Sequence, residues 1–284
     1  PNDRWATVIH DPKVLESEDM PIPKTQPTNN EISEDEPQTK EDEIERQKAK
    51  AFEEKLKQNF STDRQKLIDK YQPYFELETI SSELFDVFLF EYSFALETAI
   101  QKTKRDLGEN QLSDDEIRSK VEENQDQLKE FLERSESIVR RSPDQELAIS
   151  DLIKNGIKYS ESQASLNGLF NSDQQPEGNC VTRALVASRT AMKIGLPGVG
   201  FALMPGHIAA VSSSSKTVAV MDTNLKRISV TQAGDLITGG GMLASLLAAN
   251  ENSGLEPRKT VGGKDHSTYE GLSPTGKYSK LKTP

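Results

Sequence analysis

The sequence is poor in residues that several common protein classes depend on. It has one cysteine, three histidines and one tryptophan among 284 residues. A single cysteine excludes an internal disulfide framework and is compatible with a reducing compartment. Together with the lack of a recognisable signal peptide, it favours a cytoplasmic location. Because the sequence begins at Pro1 rather than at methionine, an upstream segment could have been removed.

The charge balance and the missing motifs exclude further classes. The net charge of −11, without a stripe of Lys and Arg interleaved with aromatic residues, argues against nucleic-acid binding. The three glycines at 239–241 do not form a phosphate-binding loop and are predicted to be a flexible joint. No His, Cys, Asp and Glu cluster has the spacing of metal ligands. We therefore expect neither a cofactor nor a metal site.

Composition divides the chain into four segments. With 34% apolar and 29% charged residues, a single core that uses every residue is not expected. Residues 1–40, dominated by Glu, Asp, Pro, Ser and Asn, are predicted to be disordered, as is the polar tail 251–284. Residues 41–140 are predicted to form a helical region, and residues 141–250 a domain of helices and strands.

Five helices are predicted before residue 157. Their expected bounds are Glu41 to Asn59, Ser61 or Thr62 to just before Pro73, residues 75–107, Ser113 to Val139, and Ser142 to Gly156 with Pro143 in the first turn. The third is the most apolar, yet six carboxylates interrupt it. No run therefore approaches the ~20 apolar residues of a membrane span, and we expect a buried bundle helix.

The only cysteine falls where a helix should begin. Asn179 is a good N-cap, and apolar residues recur after Cys180 with helical spacing. Gly195 suits the end of the helix, and Pro197 follows. At this position the helix dipole and the N–H groups of the first turn favour a thiolate. The alternative is a buried cysteine that acts as a small hydrophobe.

A histidine and an aspartate follow on a predicted hairpin. Residues 199–204, 207–211 and 217–221 have the pattern of short strands, and the last two are joined by serines and Lys216. If the loop is symmetric about the Ser214–Ser215 bond, His207 lies directly opposite Asp222 with both side chains on one face. A three-residue loop would instead place Gly206 opposite Asp222. Taken singly, His207 could be structural and Asp222 a turn residue.

These three residues resemble the motif of the transglutaminase-like superfamily of thiol enzymes. The matching positions are Cys180 in Gly-Asn-Cys, His207 in Pro-Gly-His and Asp222 in Met-Asp-Thr, within residues 179–224. The sequence departs from familiar members of the superfamily in two ways, because the loop before His207 is short and no tryptophan lies near the motif. Papain-like enzymes use the same residue order. The resemblance implies a Cys-His-Asp triad in which His207 activates Cys180 and Asp222 orients His207.

Two further features lie beside this motif. Gln174 and Gln175 precede Cys180 by six and five residues, and a Gln six residues before the cysteine resembles the papain-like oxyanion arrangement. Their alternative interpretation is a polar loop. Arg183, one turn after Cys180, is expected to be a solvated helix residue. Alternatively, Arg183 could support a thiolate or bind an acidic group of the substrate.

The sequence thus predicts an α+β fold with a transglutaminase-like or papain-like core, in which a cysteine at a helix N-terminus packs on a small antiparallel sheet behind a helical region. The expected function is hydrolysis of a peptide or amide substrate, with glutamine cross-linking or deamidation as an alternative. The helical region could complete the core, inhibit the enzyme or bind a partner protein. A non-catalytic interaction module is the alternative of another class, and a buried Cys180 would favour it.

Overall fold

The computed structural model describes residues 40–160, 166, 169, 176–204, 207–230 and 236–249, and the statements below concern these residues. The segments predicted to be disordered, 1–40 and 251–284, lie outside them except for Lys40. The described residues belong to one compact unit, Gln38–Pro284.

Six helices and seven short strands make up the described part of an α+β fold. The helices are α1 Lys40–Tyr71, α2 Ser82–Asp106, α3 Asp114–Arg140, α4 Gln145–Gly156, α5 Cys180–Ile194 and α6 Gly240–Ala249. The strands are β1 Lys158–Tyr159, β2 Glu177–Gly178, β3 Gly200–Met204, β4 His207–Ser213, β5 Thr217–Met221, β6 Lys226–Ser229 and β7 Leu236–Thr238.

The strands form two sheets. Strands β1 and β2 pair in parallel, and the other five form an antiparallel sheet in the order β6-β5-β4-β3-β7. Strand β4 lies at the centre, and its middle residues are buried. Helix α5 packs against β4 and β3. Cys180, the first residue of α5, and His207, the first residue of β4, therefore belong to two layers that pack against each other.

Several helix predictions are confirmed, and others are wrong for identifiable reasons. Helix α3 begins at the predicted capping box, in which Ser113 accepts from the Glu116 N–H and Glu116 accepts from the Ser113 N–H. The break predicted near residue 60 does not exist, because Ser61 bonds back to the Gln58 carbonyl and stays within α1. Phe60 is buried there with its ring edge on Tyr92, so tertiary packing keeps the helix continuous.

Two helices start later than predicted. Helix α2 begins after Ser81, whose hydroxyl accepts from the Leu84 N–H, rather than at residue 75. Helix α4 is capped by Asp144, which accepts from the Leu147 N–H, so Pro143 precedes the helix instead of occupying its first turn. In both cases a side-chain oxygen that can cap free N–H groups decides the start.

The glycines at 239–241 do not form the predicted flexible joint. Gly240 begins α6, and its N–H donates to the Leu77 carbonyl at 2.8 Å. A Cβ at Gly240 would overlap the Tyr74 carbonyl, and one at Gly239 would overlap the carbonyls of Leu77 and Glu78. The glycines are needed because α6 approaches the backbone before α2 this closely.

One hydrophobic core continues across the expected boundary at residue 140. It includes buried side chains from all six helices and from the sheet, with Val139 and Ile149 on either side of that boundary. Arg189 of α5 ties the same elements together, because it bonds Asp86 of α2 at 2.9 Å and both Glu136 and the Leu132 carbonyl of α3. Helices α2 and α3 therefore complete the core on which the cysteine helix rests.

Among the described helices, none combines the length and the apolar character that crossing a membrane requires.

Candidate active site

Cys180 is the first residue of α5, as the sequence predicts. The preceding Asn179 is the N-cap, and its side-chain oxygen accepts from the Thr182 N–H at 3.1 Å. The helix ends at Gly195, whose φ of 84° is the left-handed conformation expected after a helix. Cys180 therefore lies at the positive end of a fifteen-residue helix dipole, where a negative charge on sulfur is stabilised.

The cap gives a stability prediction. Replacing Asn179 with alanine removes the oxygen that satisfies Thr182 and should lower the free energy of unfolding by about 1 kcal/mol. Asn179→Ser keeps a capping oxygen, and it removes an amide nitrogen that has no partner among the described residues. It should therefore cost less than Asn179→Ala in urea unfolding. If both variants lose the same free energy of unfolding, the capping hydrogen bond is not the source of the stabilisation.

His207 and Asp222 meet at the end of the β4–β5 hairpin, but not in the predicted register. The pairs Ala210–Met221 and Ser213–Val218 place Asp222 opposite Ala209, two residues from the expected partner His207. The turn is centred between Ser215 and Lys216, because the Ser214 N–H donates to the Thr217 carbonyl. A shift of two residues preserves the face of each side chain, so the two groups still converge as a diagonal pair.

The imidazole is held between an acid and a thiol. His207 Nε2 donates to Asp222 Oδ2 at 2.8 Å, and the His207 side chain also forms a hydrogen bond with Cys180. Since Asp222 occupies Nε2, Nδ1 is the ring nitrogen that remains for the thiol. The order acid, imidazole, thiol is the arrangement in which a base accepts a nucleophile's proton while a carboxylate fixes its tautomer.

The pKa values of His207 and Asp222 are both shifted in the direction that favours the charged form. Hydrogen bonds to Asp222 and then to Cys180 raise the pKa of His207 from 6.5 to about 9, against the opposing effect of burial. Burial by itself would raise the pKa of Asp222. Hydrogen bonds from His207 and the Thr223 N–H, with the charges of His207 and Arg183, nevertheless hold it below its ordinary value. The pair is thus an imidazolium and a carboxylate near neutral pH.

This raised pKa predicts how stability depends on pH. A histidine whose pKa is higher in the folded state stabilises the fold fully below 6.5, and this stabilisation is lost as the pH rises toward 9. The difference in free energy of unfolding between the wild type and His207→Ala should therefore shrink over that range. Denaturant unfolding at several pH values measures it, and a difference that stays constant would contradict the assigned shift.

Arg183 is not the solvated residue that the sequence suggested. Its Nη2 donates to the Ile157 carbonyl, and its guanidinium lies over the Tyr159 ring at 5.3 Å. Burial lowers its pKa, while the nearby acidic groups of Asp222, Tyr159 and Cys180 oppose that effect. Its position three residues after Cys180 was the available sequence signal, but the contact with Tyr159 depends on β1 pairing with β2 and is not visible in the sequence.

The thiol itself is largely covered. Cys180 is 2% exposed, so its side chain is almost inaccessible to solvent. Gln174 and Gln175, predicted as oxyanion donors, lie outside the described residues. Within the described part of the chain, no group of His, Cys, Asp and Glu could hold a metal ion.

The residues that the sequence singled out as a triad are therefore close in space, with Asp222 bonded to His207 and His207 bonded to Cys180. Comparison with protein-family models, with curated proteins and with solved structures finds no match to this chain.

Proposed function

We propose that this protein is a cysteine-dependent enzyme that transfers the acyl group of an amide, with peptide or amide hydrolysis as its reaction. The proposal assigns Cys180 as nucleophile, His207 as base and acid, and Asp222 as the group that orients His207, on a transglutaminase-like core. The observation that carries it is the hydrogen-bonded chain from Asp222 through His207 to Cys180 at a helix N-terminus.

The reaction follows from these positions. Before the substrate reacts, His207 holds the thiol proton as an imidazolium, which leaves Cys180 as a thiolate. Cys180 Sγ then forms a bond to the substrate carbonyl carbon, and the carbonyl π-electron pair moves to oxygen to give a tetrahedral oxyanion. Collapse of this intermediate breaks the C–N bond while His207 returns the proton to the leaving amine. Water, deprotonated by His207, then releases the acid from the thioester. An amine in place of water would give cross-linking, the alternative product of the same thioester.

The oxyanion needs donors that are fixed before the reaction. The first turn of α5 directs N–H groups away from the helix at the cysteine, which makes the Cys180 backbone N–H the natural first donor. Gln174 and Gln175 remain candidates for a second donor on sequence grounds alone.

A second candidate function rests on the burial of Cys180. Because the thiol is 2% exposed, a protein that keeps the fold but binds a partner without catalysis would account for that burial directly. In that case the acid–imidazole–thiol chain would be a structural feature at the end of the β4–β5 hairpin. Activated chemistry at the sulfur distinguishes the two functions, because a structural hydrogen-bond chain requires none.

Trapping the thioester tests the proposal. Wild-type protein treated with p-nitrophenyl acetate should release a burst of nitrophenol and carry one acetyl group on Cys180, detected by mass spectrometry and removed by hydroxylamine. Cys180→Ala should give no burst. Acetylation that is absent, or that falls on lysines equally in both proteins, would overturn the proposal. Adding a primary amine during turnover then measures how the thioester partitions between hydrolysis and transfer.

A further inference from the structure

Two contacts, with Ile157 and with Tyr159, hold the guanidinium of Arg183 in one orientation. It donates to the Ile157 carbonyl, and it lies over the Tyr159 ring. Tyr159 pairs with Gly178 through the short parallel sheet, which places that ring beside the residues leading into Cys180. Arg183 is therefore a fixed cation at the nucleophile rather than a mobile surface residue.

This cation has no carboxylate bound to it in the described part of the chain. Its Nε is buried and has no hydrogen-bond partner there, although a buried donor left unpaired is costly. Arg189, two turns further along α5, shows the contrasting case, because Asp86 and Glu136 both bind it. Among the described residues, two carboxylates thus neutralise Arg189, whereas no carboxylate is bound to Arg183, the arginine next to the nucleophile.

The nearest acidic group does not take this role. Asp222 is close enough for Arg183 to lower its pKa, yet it forms its hydrogen bond with His207 and no ion pair with Arg183. A planar guanidinium with unused donors is suited to a carboxylate, which it can bind with two parallel hydrogen bonds.

We propose that Arg183 binds a carboxylate of the substrate next to the carbonyl that Cys180 attacks, so that the substrates are anionic peptides or amides. This inference rests on the proposed function, because it takes Cys180 as the reacting atom. The carboxylate could be an acidic side chain or a free α-carboxylate, and both present the same chemistry to the guanidinium.

Three probes of equal size test the proposal on the single thiol. Bromoacetyl-Gln-amide is neutral, bromoacetyl-Glu-amide carries a side-chain carboxylate, and bromoacetyl-Gln with a free carboxyl end carries an α-carboxylate. Each alkylates a thiolate by displacement of bromide. Wild-type protein should react with at least one anionic probe roughly tenfold to a hundredfold faster than with the neutral probe. Which anionic probe is preferred identifies the source of the carboxylate.

Matched variants assign the preference to Arg183. In Arg183→Met the ratio of anionic to neutral rates should fall to one or below, because the net charge of −11 then disfavours anions. Arg183→Lys should keep part of the preference. The control is Arg227→Met, which also removes one positive charge. Because Arg227 is bound to Asp144 and Glu146, its removal should leave the ratio unchanged. Circular dichroism confirms that each variant is folded.

The result that overturns the inference is an anionic preference that is absent in the wild type or unchanged in Arg183→Met. An equal loss of ratio in Arg227→Met would also overturn it, because net charge would then explain the effect. Failure of the proposed function is recognised separately, from the neutral probe alone. In that case the rate at which this probe labels Cys180 does not depend on His207.

Discussion

His207→Ala should slow the acylation of Cys180 by p-nitrophenyl acetate by roughly 10²- to 10⁴-fold near neutral pH, the range of general-base contributions. The imidazolium bonded to both Asp222 and Cys180 is the group that holds the thiol proton and stabilises the thiolate, and alanine offers no replacement. The burst rate of nitrophenol release measures the effect.

A control on the same strand separates this chemistry from packing. Ser213 lies at the other end of β4, far along the strand from His207, and its hydroxyl donates to the Gly198 carbonyl at 3.0 Å. Ser213→Ala should leave the burst rate within about twofold, a change worth less than 0.5 kcal/mol on the scale of about 1.4 kcal/mol per tenfold. A His207→Ala rate that matches the rate of Ser213→Ala would show that the imidazole does not activate the thiol.

Arg189→Met should lower the free energy of unfolding by about 1–3 kcal/mol, the largest stability effect that we expect. Arg189 is 4% exposed and bonds Asp86, Glu136 and the Leu132 carbonyl, so its removal leaves that carbonyl without this donor and takes one cation from each carboxylate. Lys193 still pairs with Asp86, and Arg140 still pairs with Glu136. Urea unfolding followed by circular dichroism measures the change.

The matched control is Arg140→Met. Arg140 bonds the same Glu136 carboxylate, but about half of its side chain is exposed, and exposed pairs contribute about 0–1 kcal/mol. If both variants lose the same stability, the buried network does not join α5 to α2 and α3 as described. Similar unfolding transitions in the wild type and Arg189→Met would contradict the account directly.

The sequence predicts the cysteine helix and the site residues because their signals are local. Asn179, the apolar spacing after Cys180 and Gly195 together define α5 at both ends, and β5 has the predicted bounds. The convergence of His207 and Asp222 was predicted from a register that is off by two residues. It survives because side chains alternate with a period of two, so an even shift preserves the face.

The remaining features depend on contacts between distant parts of the chain. Phe60 keeps α1 continuous by packing on Tyr92, and the carbonyls of Tyr74 and Leu77 explain the glycines at the start of α6. Arg189 looks like any helix arginine in the sequence, yet its partners come from two other helices. Local patterns cannot report such pairs, because tertiary packing decides them.

The pH dependence of Cys180 alkylation by iodoacetamide tests the central claim most directly. With one thiol in the chain, the signal is unambiguous. The wild type should react rapidly well below the pKa of ~8.5 of an ordinary thiol, because the imidazolium, with its pKa near 9, stabilises the thiolate. In His207→Ala the rate should instead rise with pH toward that of an ordinary thiol near pKa ~8.5.

The Arg189→Met variant shows whether iodoacetamide labels Cys180 in the folded protein or only after unfolding. Labelling of folded protein should proceed at the wild-type rate in this destabilised variant, whereas labelling through global unfolding should become faster. Rapid, His207-dependent reaction that is insensitive to Arg189→Met is the result that the account predicts. A wild type that follows the His207→Ala curve, or that reacts only in proportion to its unfolded population, would contradict it and favour the interaction module.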